Sequence, residues 1–183
     1  MRGYRLTSGD LISATFGDWD RFAIENGGAR ALTVQVLGQS LFDSIDGPAT
    51  RRFLEQIFYD CRRNQSVMGQ LYRCDSPQVE RLFAMRVLPL PASGIEVQHR
   101  LIRCRALAAP AWPGLPHLRY RRCSQCLACN FGGPWVVGHR FRLPSGAVAE
   151  DAVCPVCRGA VFPAVPPLRR GPQAADAGQG PLR

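Results

Sequence analysis

The 183-residue chain carries 23 basic and 14 acidic residues, a net charge of +9 and a pI near 9.7, and 46% of its residues are apolar. That length suits one ordinary domain with a small appendage, and the longest apolar runs break well short of the roughly 20 residues a bilayer-spanning helix needs. The basic residues are all Arg, with no Lys, and are scattered in short pairs such as Arg51-Arg52, Arg62-Arg63 and Arg121-Arg122. A basic balance invites a nucleic-acid partner, whereas the codon bias of a GC-rich genome accounts for it without any function.

Met1-Arg2-Gly3-Tyr4-Arg5 has charge but no apolar segment after it, so neither signal peptide nor export is expected, and the cytoplasm is the expected compartment. Leu11 to Phe16 reads as a short strand. Trp19, Phe22 and Ala23 recur at helical spacing, and Asn26-Gly27-Gly28 ends that segment with residues that tolerate positive φ. Val34 to Ile45 mixes a Gly turn with short apolar clusters. Asp46-Gly47-Pro48 then announces a helix, because Pro fits a first turn. From Thr50 to Arg63 the residues Phe53, Leu54, Ile57, Phe58 and Cys61 make one apolar stripe. Arg62 and Arg63 suit its C-terminal end, and Asn64 can stop it.

Three strands are predicted next. Val67 to Cys74 is the first. Arg81 to Leu88 alternates Phe83, Met85 and Val87 against Leu82, Ala84 and Arg86. Ile95 to Cys104 alternates Ile95, Val97, His99 and Leu101 against Glu96, Gln98 and Arg100. Asp75-Ser76-Pro77 and Pro91-Ala92-Ser93-Gly94 make the turns between them. The segregation of helices from a strand meander argues for an α+β domain with an antiparallel sheet and helices on one face. Residues 1–105 form this domain, 106–120 a Pro-rich connector, 121–163 a cysteine-rich module, and 164–183 a low-complexity tail expected to be disordered.

The eight cysteines stand at 61, 74, 104, 123, 126, 129, 154 and 157. In a reducing compartment clustered cysteines read as metal ligands or redox thiols rather than as a disulfide framework. Cys154-x₂-Cys157, with Pro155 inside, has the chemistry of a tight metal knuckle. Its partner pair is open, because Cys123, Cys126 and Cys129 overlap as two C-x₂-C pairs. Two such knuckles separated by a hairpin make a zinc ribbon, in which four thiolates leave the metal no open position for hydrolysis. His139 could replace a cysteine but has no paired histidine.

The strings Trp19-Asp20-Arg21-Phe22-Ala23, Glu25-Asn26-Gly27 and Gly38-Gln39-Ser40-Leu41-Phe42 resemble the opening of a PAS-like domain of proteobacterial proteins. Tyr72-Arg73-Cys74-Asp75-Ser76-Pro77, with Arg81 and Met85 after it, resembles the hairpin of those proteins. Cys123-Ser124-Gln125-Cys126, Trp135 and Cys154-Pro155-Val156-Cys157 are similar to the cysteine pairs that follow it. The resemblance implies a five-stranded antiparallel sheet cupping a cavity under its helices, a zinc-ribbon-like module after it, and Cys123, Cys126, Cys154 and Cys157 as ligands of a structural Zn²⁺, with Cys129 a spare thiol. It also implies a domain that senses ligands, holds cofactors or dimerises. Flavin is not supported, since no Asn-Cys-Arg-Phe run occurs, and haem is not supported, since the long helix has no His.

His99, on the apolar face of its strand, would line such a cavity, although a hydrogen-bonded core histidine is the simpler role. Trp19, Phe22, Phe42, Phe53, Ile57, Phe83 and Met85 are core or cavity candidates. Asp75 reads as a hairpin cap, and Arg73 with Arg81 as partners of nearby carboxylates. No nucleophile, base and orienter assembly or phosphate loop is visible. The expected function is a non-enzymatic sensory or adaptor regulatory protein that binds a small molecule, a protein partner or a second copy of itself, away from membranes. The competing readings are a nucleic-acid-associated regulator using Arg119, Arg121, Arg122, Arg140, Arg142 and Arg158 around the cysteine module, and a thiol redox sensor.

Overall fold

The long apolar stripe forms helix α3, Pro48–Asn64, which starts two residues before the expected Thr50. Ile57, Phe58 and Cys61 are buried to 2% exposure or less, and the Cys61 thiol donates to the Val87 carbonyl at 3.5 Å. Gln65, in the left-handed region, ends the helix in place of Asn64. Arg62 does not serve the helix terminus alone: it donates to the Thr7 and Ser93 carbonyls and pairs with Asp10 at 2.6 Å. The computed structural model describes residues 1–76, 78–106, 119–136 and 146–163. Pro77, His139, Arg140, Arg142, most of the Pro-rich connector expected over 106–120 and the tail 164–183 lie outside the described residues.

The fold is α+β. Strands β1 (Arg2–Leu6), β2 (Ile12–Phe16), β3 (Met68–Arg73), β4 (Val79–Pro89) and β5 (Ile95–Ala106) form an antiparallel sheet in the order β3-β4-β5-β1-β2. The alternation read in β4 holds, with Phe83, Met85 and Val87 all buried. Val97 of β5, opposite Val87, and Ile95, opposite Pro89, complete the inner face with Tyr4 and Leu6 of β1, which pair with them in turn. Helices α1 (Trp19–Glu25), α2 (Thr33–Val36) and α3 pack on that face. Strand β1 has no counterpart among the sequence-predicted strands. Its Arg-Gly-Tyr-Arg-Leu run holds only two apolar side chains, and it is a strand because it fills the slot between β5 and β2.

One expectation fails in β5. Leu101 was placed with Ile95, Val97 and His99, yet it is 44% exposed. Leu101 keeps that face, opposite the buried Phe83, but β1 pairs with β5 only as far as His99 and leaves Leu101 without its cover; a β-bulge follows directly, with Leu82 paired to Arg103 and Ile102 the extra residue. A one-residue slip transfers every later side chain to the other face. Arg103 and Arg105 therefore join Glu80, which is 1% exposed and forms ion pairs with Arg105 at 2.8 Å, Arg103 at 2.9 Å and Arg73 at 3.2 Å. The hydrogen bond from Arg105, helped by those from Arg103 and the charge of Arg73, holds the Glu80 carboxyl below its usual range.

A second, four-stranded sheet contains β6 (Arg119–Cys123), β7 (Cys129–Asn130), β8 (Trp135–Val136) and β9 (Val148–Ala152), in the order β8-β7-β6-β9. It departs from a simple ribbon of hairpins, because β9 runs parallel to β6 and the chain then enters a one-turn helix α4, Pro155–Gly159. This unit is fastened to the first sheet and its long helix at three places. Phe162 and Pro163, as β10, add a sixth strand to the edge of β3. Farther along the same edge, the Arg73 N–H donates to the Gln125 carbonyl at 2.6 Å. Asp151 caps α3, accepting from the Ala49 N–H at 2.8 Å, the Thr50 N–H at 2.9 Å and the Thr50 hydroxyl at 2.5 Å.

Gly47 makes that cap fit. Its φ is +93°, and a Cβ there would collide with the Asp151 side chain. Replacing Asp151 by Ala removes the cap of the helix that carries the core and should lower unfolding stability by about 1–2 kcal/mol. Urea titration should show a reduced midpoint with an unchanged slope. An unaltered midpoint would mean that the helix start is satisfied in another way.

Candidate metal centre and cavity

The four cysteines sit where two tight turns face each other. In the first, Cys123 ends β6, its N–H donates to the Ala128 carbonyl at 2.8 Å, and its own carbonyl accepts from the Leu127 N–H at 2.9 Å. Leu127 takes a positive φ of 61° to close the turn. In the second, Cys154 is the N-cap of α4 and Pro155 occupies the first turn. The Cys157 N–H points at the Cys154 sulfur, 3.4 Å away. The Cys154 N–H in turn points at the Cys123 sulfur at 3.3 Å, which ties the two turns together.

The Sγ atoms of Cys123, Cys126, Cys154 and Cys157 all lie within 4.8 Å of one another, and those of Cys126 and Cys154 are 3.7 Å apart. A disulfide needs roughly 2.05 Å. Four thiolates at about 2.3 Å from a tetrahedral zinc ion stand roughly 3.8 Å from each other. The spacing is therefore that of ligands around one ion, and the four cysteines could hold a metal ion such as zinc. Cys123, Cys154 and Cys157 are buried and Cys126 is half-buried.

Their acidities point the same way. The Cys123 thiol is brought down to about 4, first by the hydrogen bond from the Cys126 thiol, with the N–H groups of Cys154, Cys126 and Gln125 adding to it. Donating that proton pushes Cys126 up. Burial, with the charge on Cys123 next, pushes Cys157 up to about 12. The cluster accepts one negative charge readily and resists a second, and a soft dication is what lets four thiols ionise together.

Cys129, the alternative third cysteine, is buried in β7 with its thiol directed at the Leu127 carbonyl, 3.7 Å away, and is not one of the four. Cys61 belongs to the main core, and Cys74 and Cys104 are exposed. Phe53 of α3 packs against both the main core and the cysteine cluster, and Trp135 packs on the cluster from the other sheet. A groove of about 650 Å³ between α3 and the second cysteine turn, lined by Arg52, Phe53, Ile57, Val153 and Arg158, marks the seam between the two units.

The chain matches no protein-family model, no curated protein and no solved structure.

A second feature lies between α1 and the sheet. A cavity of about 250 Å³ is lined by Arg2, Trp19, Phe22, Tyr72, Phe83 and His99, with Asn26 and Cys74, both exposed, among its other walls. Tyr72 stacks on Phe83 at 5.4 Å, and Phe22 meets Phe83 edge-on at 6.2 Å. The Trp19 indole N–H donates to the Ala31 carbonyl at 2.7 Å, so the segment after α1 is held over the cavity. His99, placed at such a cavity by the resemblance, is there, 2.9 Å from the Tyr72 hydroxyl through Nδ1. Burial, with the Arg2 charge next, brings its pKa down to about 4.

Arg2 and Asp18 had no sequence signature. Arg2 lies 3.7 Å above the Phe22 ring centroid and donates through Nε and Nη2 to the two Asp18 oxygens at 3.1 and 3.2 Å. Asp75 and Arg73 behave as read: Asp75 accepts from the Arg81 N–H at 3.0 Å and pairs with Arg73.

Changing any one of Cys123, Cys126, Cys154 or Cys157 to Ser should lower the bound metal measured by elemental analysis, while Cys129→Ser should keep it. Equal loss in Cys129→Ser would overturn the assignment. His99 gives a pH prediction. Its unfolded form takes a proton near 6.5 and its folded form only near 4, so its contribution is complete above pH 6.5 and is lost as pH falls toward 4. His99→Gln should flatten that part of the stability profile.

Proposed function

We propose that the chain is a non-catalytic sensory or adaptor module, a PAS-type domain with a ligand cavity under α1, braced by a structural zinc centre. The observation that carries this reading is the five-stranded antiparallel sheet with an aromatic cavity between its inner face and α1. That is the form the PAS resemblance implies. The cysteine set supports a structural role for the metal, since four thiolates fill a tetrahedron and leave no position for a reacting water. The attachment of the module at the β3 edge and the α3 N-terminus supports its role as a brace. Among the described residues no helix is long and apolar enough to cross a membrane.

A second reading has its own observation. Arg119 and Arg121 point to one side of β6, and these two, Arg122 and Arg158 are all exposed. This set favours a phosphate-bearing partner, with affinity falling steeply as salt rises. Arg119→Ala with Arg121→Ala should then reduce the salt slope, and salt-independent behaviour removes the reading.

The leading reading is tested by native mass spectrometry of the whole protein after exposure to a bacterial metabolite extract, beside a denatured control. One zinc ion and a small-molecule adduct are expected. Ala31→Leu, which fills the cavity wall, should lose the adduct and keep the zinc. Metal-loaded protein that takes up nothing from the extract would sink ligand sensing at this cavity.

A further inference from the structure

The cavity under α1 specifies its occupant more closely than the sensory reading requires. An apolar cavity of roughly 150 Å³ takes a benzene ring, so the 250 Å³ here has room for one ring with a short substituent or for a small fused pair. Trp19, Phe22, Tyr72 and Phe83 supply the walls. Aromatic walls set edge-on and stacked to each other favour a flat guest, which can meet ring edges and faces together.

Two features fix the polar character. The first is Arg2. Its Nε and Nη2 are taken by Asp18, but Nη1 is buried and has no hydrogen-bond partner among the described residues. A buried N–H without an acceptor is destabilising, and a guest that brings an acceptor removes the penalty. The second is that the Arg2 guanidinium at the cavity already has a carboxylate partner, Asp18. His99 is kept neutral by burial, and burial likewise raises the Cys74 thiol and keeps it protonated. An ionised carboxylate would lose its hydration here and would have to share the Arg2 guanidinium with Asp18.

We propose that this cavity binds a small, flat, uncharged aromatic molecule whose single carbonyl or hydroxyl oxygen accepts a hydrogen bond from Arg2 Nη1. The ring lies among Trp19, Phe22, Tyr72 and Phe83, and Asn26 and Cys74 stand at the rim. The proposal rests on the sensory reading and deepens it by naming the ligand class.

Three probes of nearly equal size separate the requirements: acetophenone, which is neutral with an acceptor; benzoate, which is charged; and ethylbenzene, which has no acceptor. Each is titrated into the whole, metal-loaded protein at neutral pH. The Trp19 indole N–H resonance is followed by NMR, and alkylation of Cys74 by peptide mapping. Acetophenone should shift the Trp19 signal saturably, protect Cys74, and bind at least about tenfold more tightly than either other probe. Arg2→Met should abolish the preference over ethylbenzene, and Ala31→Leu should block all three. Benzoate binding as tightly as acetophenone overturns the claim of an uncharged guest, and ethylbenzene binding as tightly overturns the role of Arg2. Failure of all three probes to shift Trp19 overturns the aromatic assignment. If an adduct from the metabolite extract still depends on Ala31, only the ligand class falls, whereas loss of both results removes the sensory reading as well.

Discussion

One carboxylate joins the two halves of this protein. Asp151 accepts from the first N–H groups of α3, and it reaches them because Gly47 has no Cβ and holds a positive φ. Helix α3 carries Ile57, Phe58 and Cys61 into the main core. Asp151 itself belongs to β9, three residues before Cys154, whose sulfur receives the Cys157 N–H at the second turn of the cysteine cluster. The helix start, the β9–β6 pairing and the position of the sulfurs are therefore one geometric problem. Phe53 reinforces the connection, since a single ring packs against both the core and the cluster.

The cysteine unit has little apolar substance of its own. Its buried centre is Val153 with three of the four cysteines, helped by Trp135 and by Phe53 from the other unit. A cluster that small does not offset the entropy of ordering two turns and four short strands. Metal coordination and attachment to the larger sheet must supply the remainder, which gives a physical reason for the extensive contact with β3 and α3. The larger sheet gains in exchange, because strand β3 would otherwise present an unpaired edge, a template for aggregation. Gln125 and β10 cover that edge.

What the sequence made legible follows from how local each determinant is. The stripe Phe53, Leu54, Ile57, Phe58 and Cys61 and the alternation of Phe83, Met85 and Val87 are each written within a dozen residues, and both elements form where they were read. The two cysteine pairs were legible by spacing. The choice between Cys123 and Cys129 was not, because both stand three residues from Cys126. It is decided by Leu127, whose positive φ closes the turn and sends Cys129 into β7. Strand β1 was hidden because its pattern is weak and one of its two neighbours in the sheet, β5, comes from far along the chain. The same is true of Asp151 at the head of α3, of Arg2 on Asp18, and of the bulge at Ile102 that brings Arg103 and Arg105 to Glu80. Each depends on a partner that no local period announces.

The pairing of β10 with β3 also has a consequence in time. Gly69 meets Phe162 and Met68 meets Pro163, so the strand that closes this edge is made after every other strand of the sheet. At translation rates of about 5–20 residues per second, the delay between the two is on the order of ten seconds. From the completion of β5 onward the nascent chain has a core helix and strands β1 to β5 ready, with one edge still open and its α3 cap not yet synthesised. The growing chain is thus most vulnerable to association with another chain before residues 151–163 emerge, and a chaperone that shields extended edges would act on it in that window.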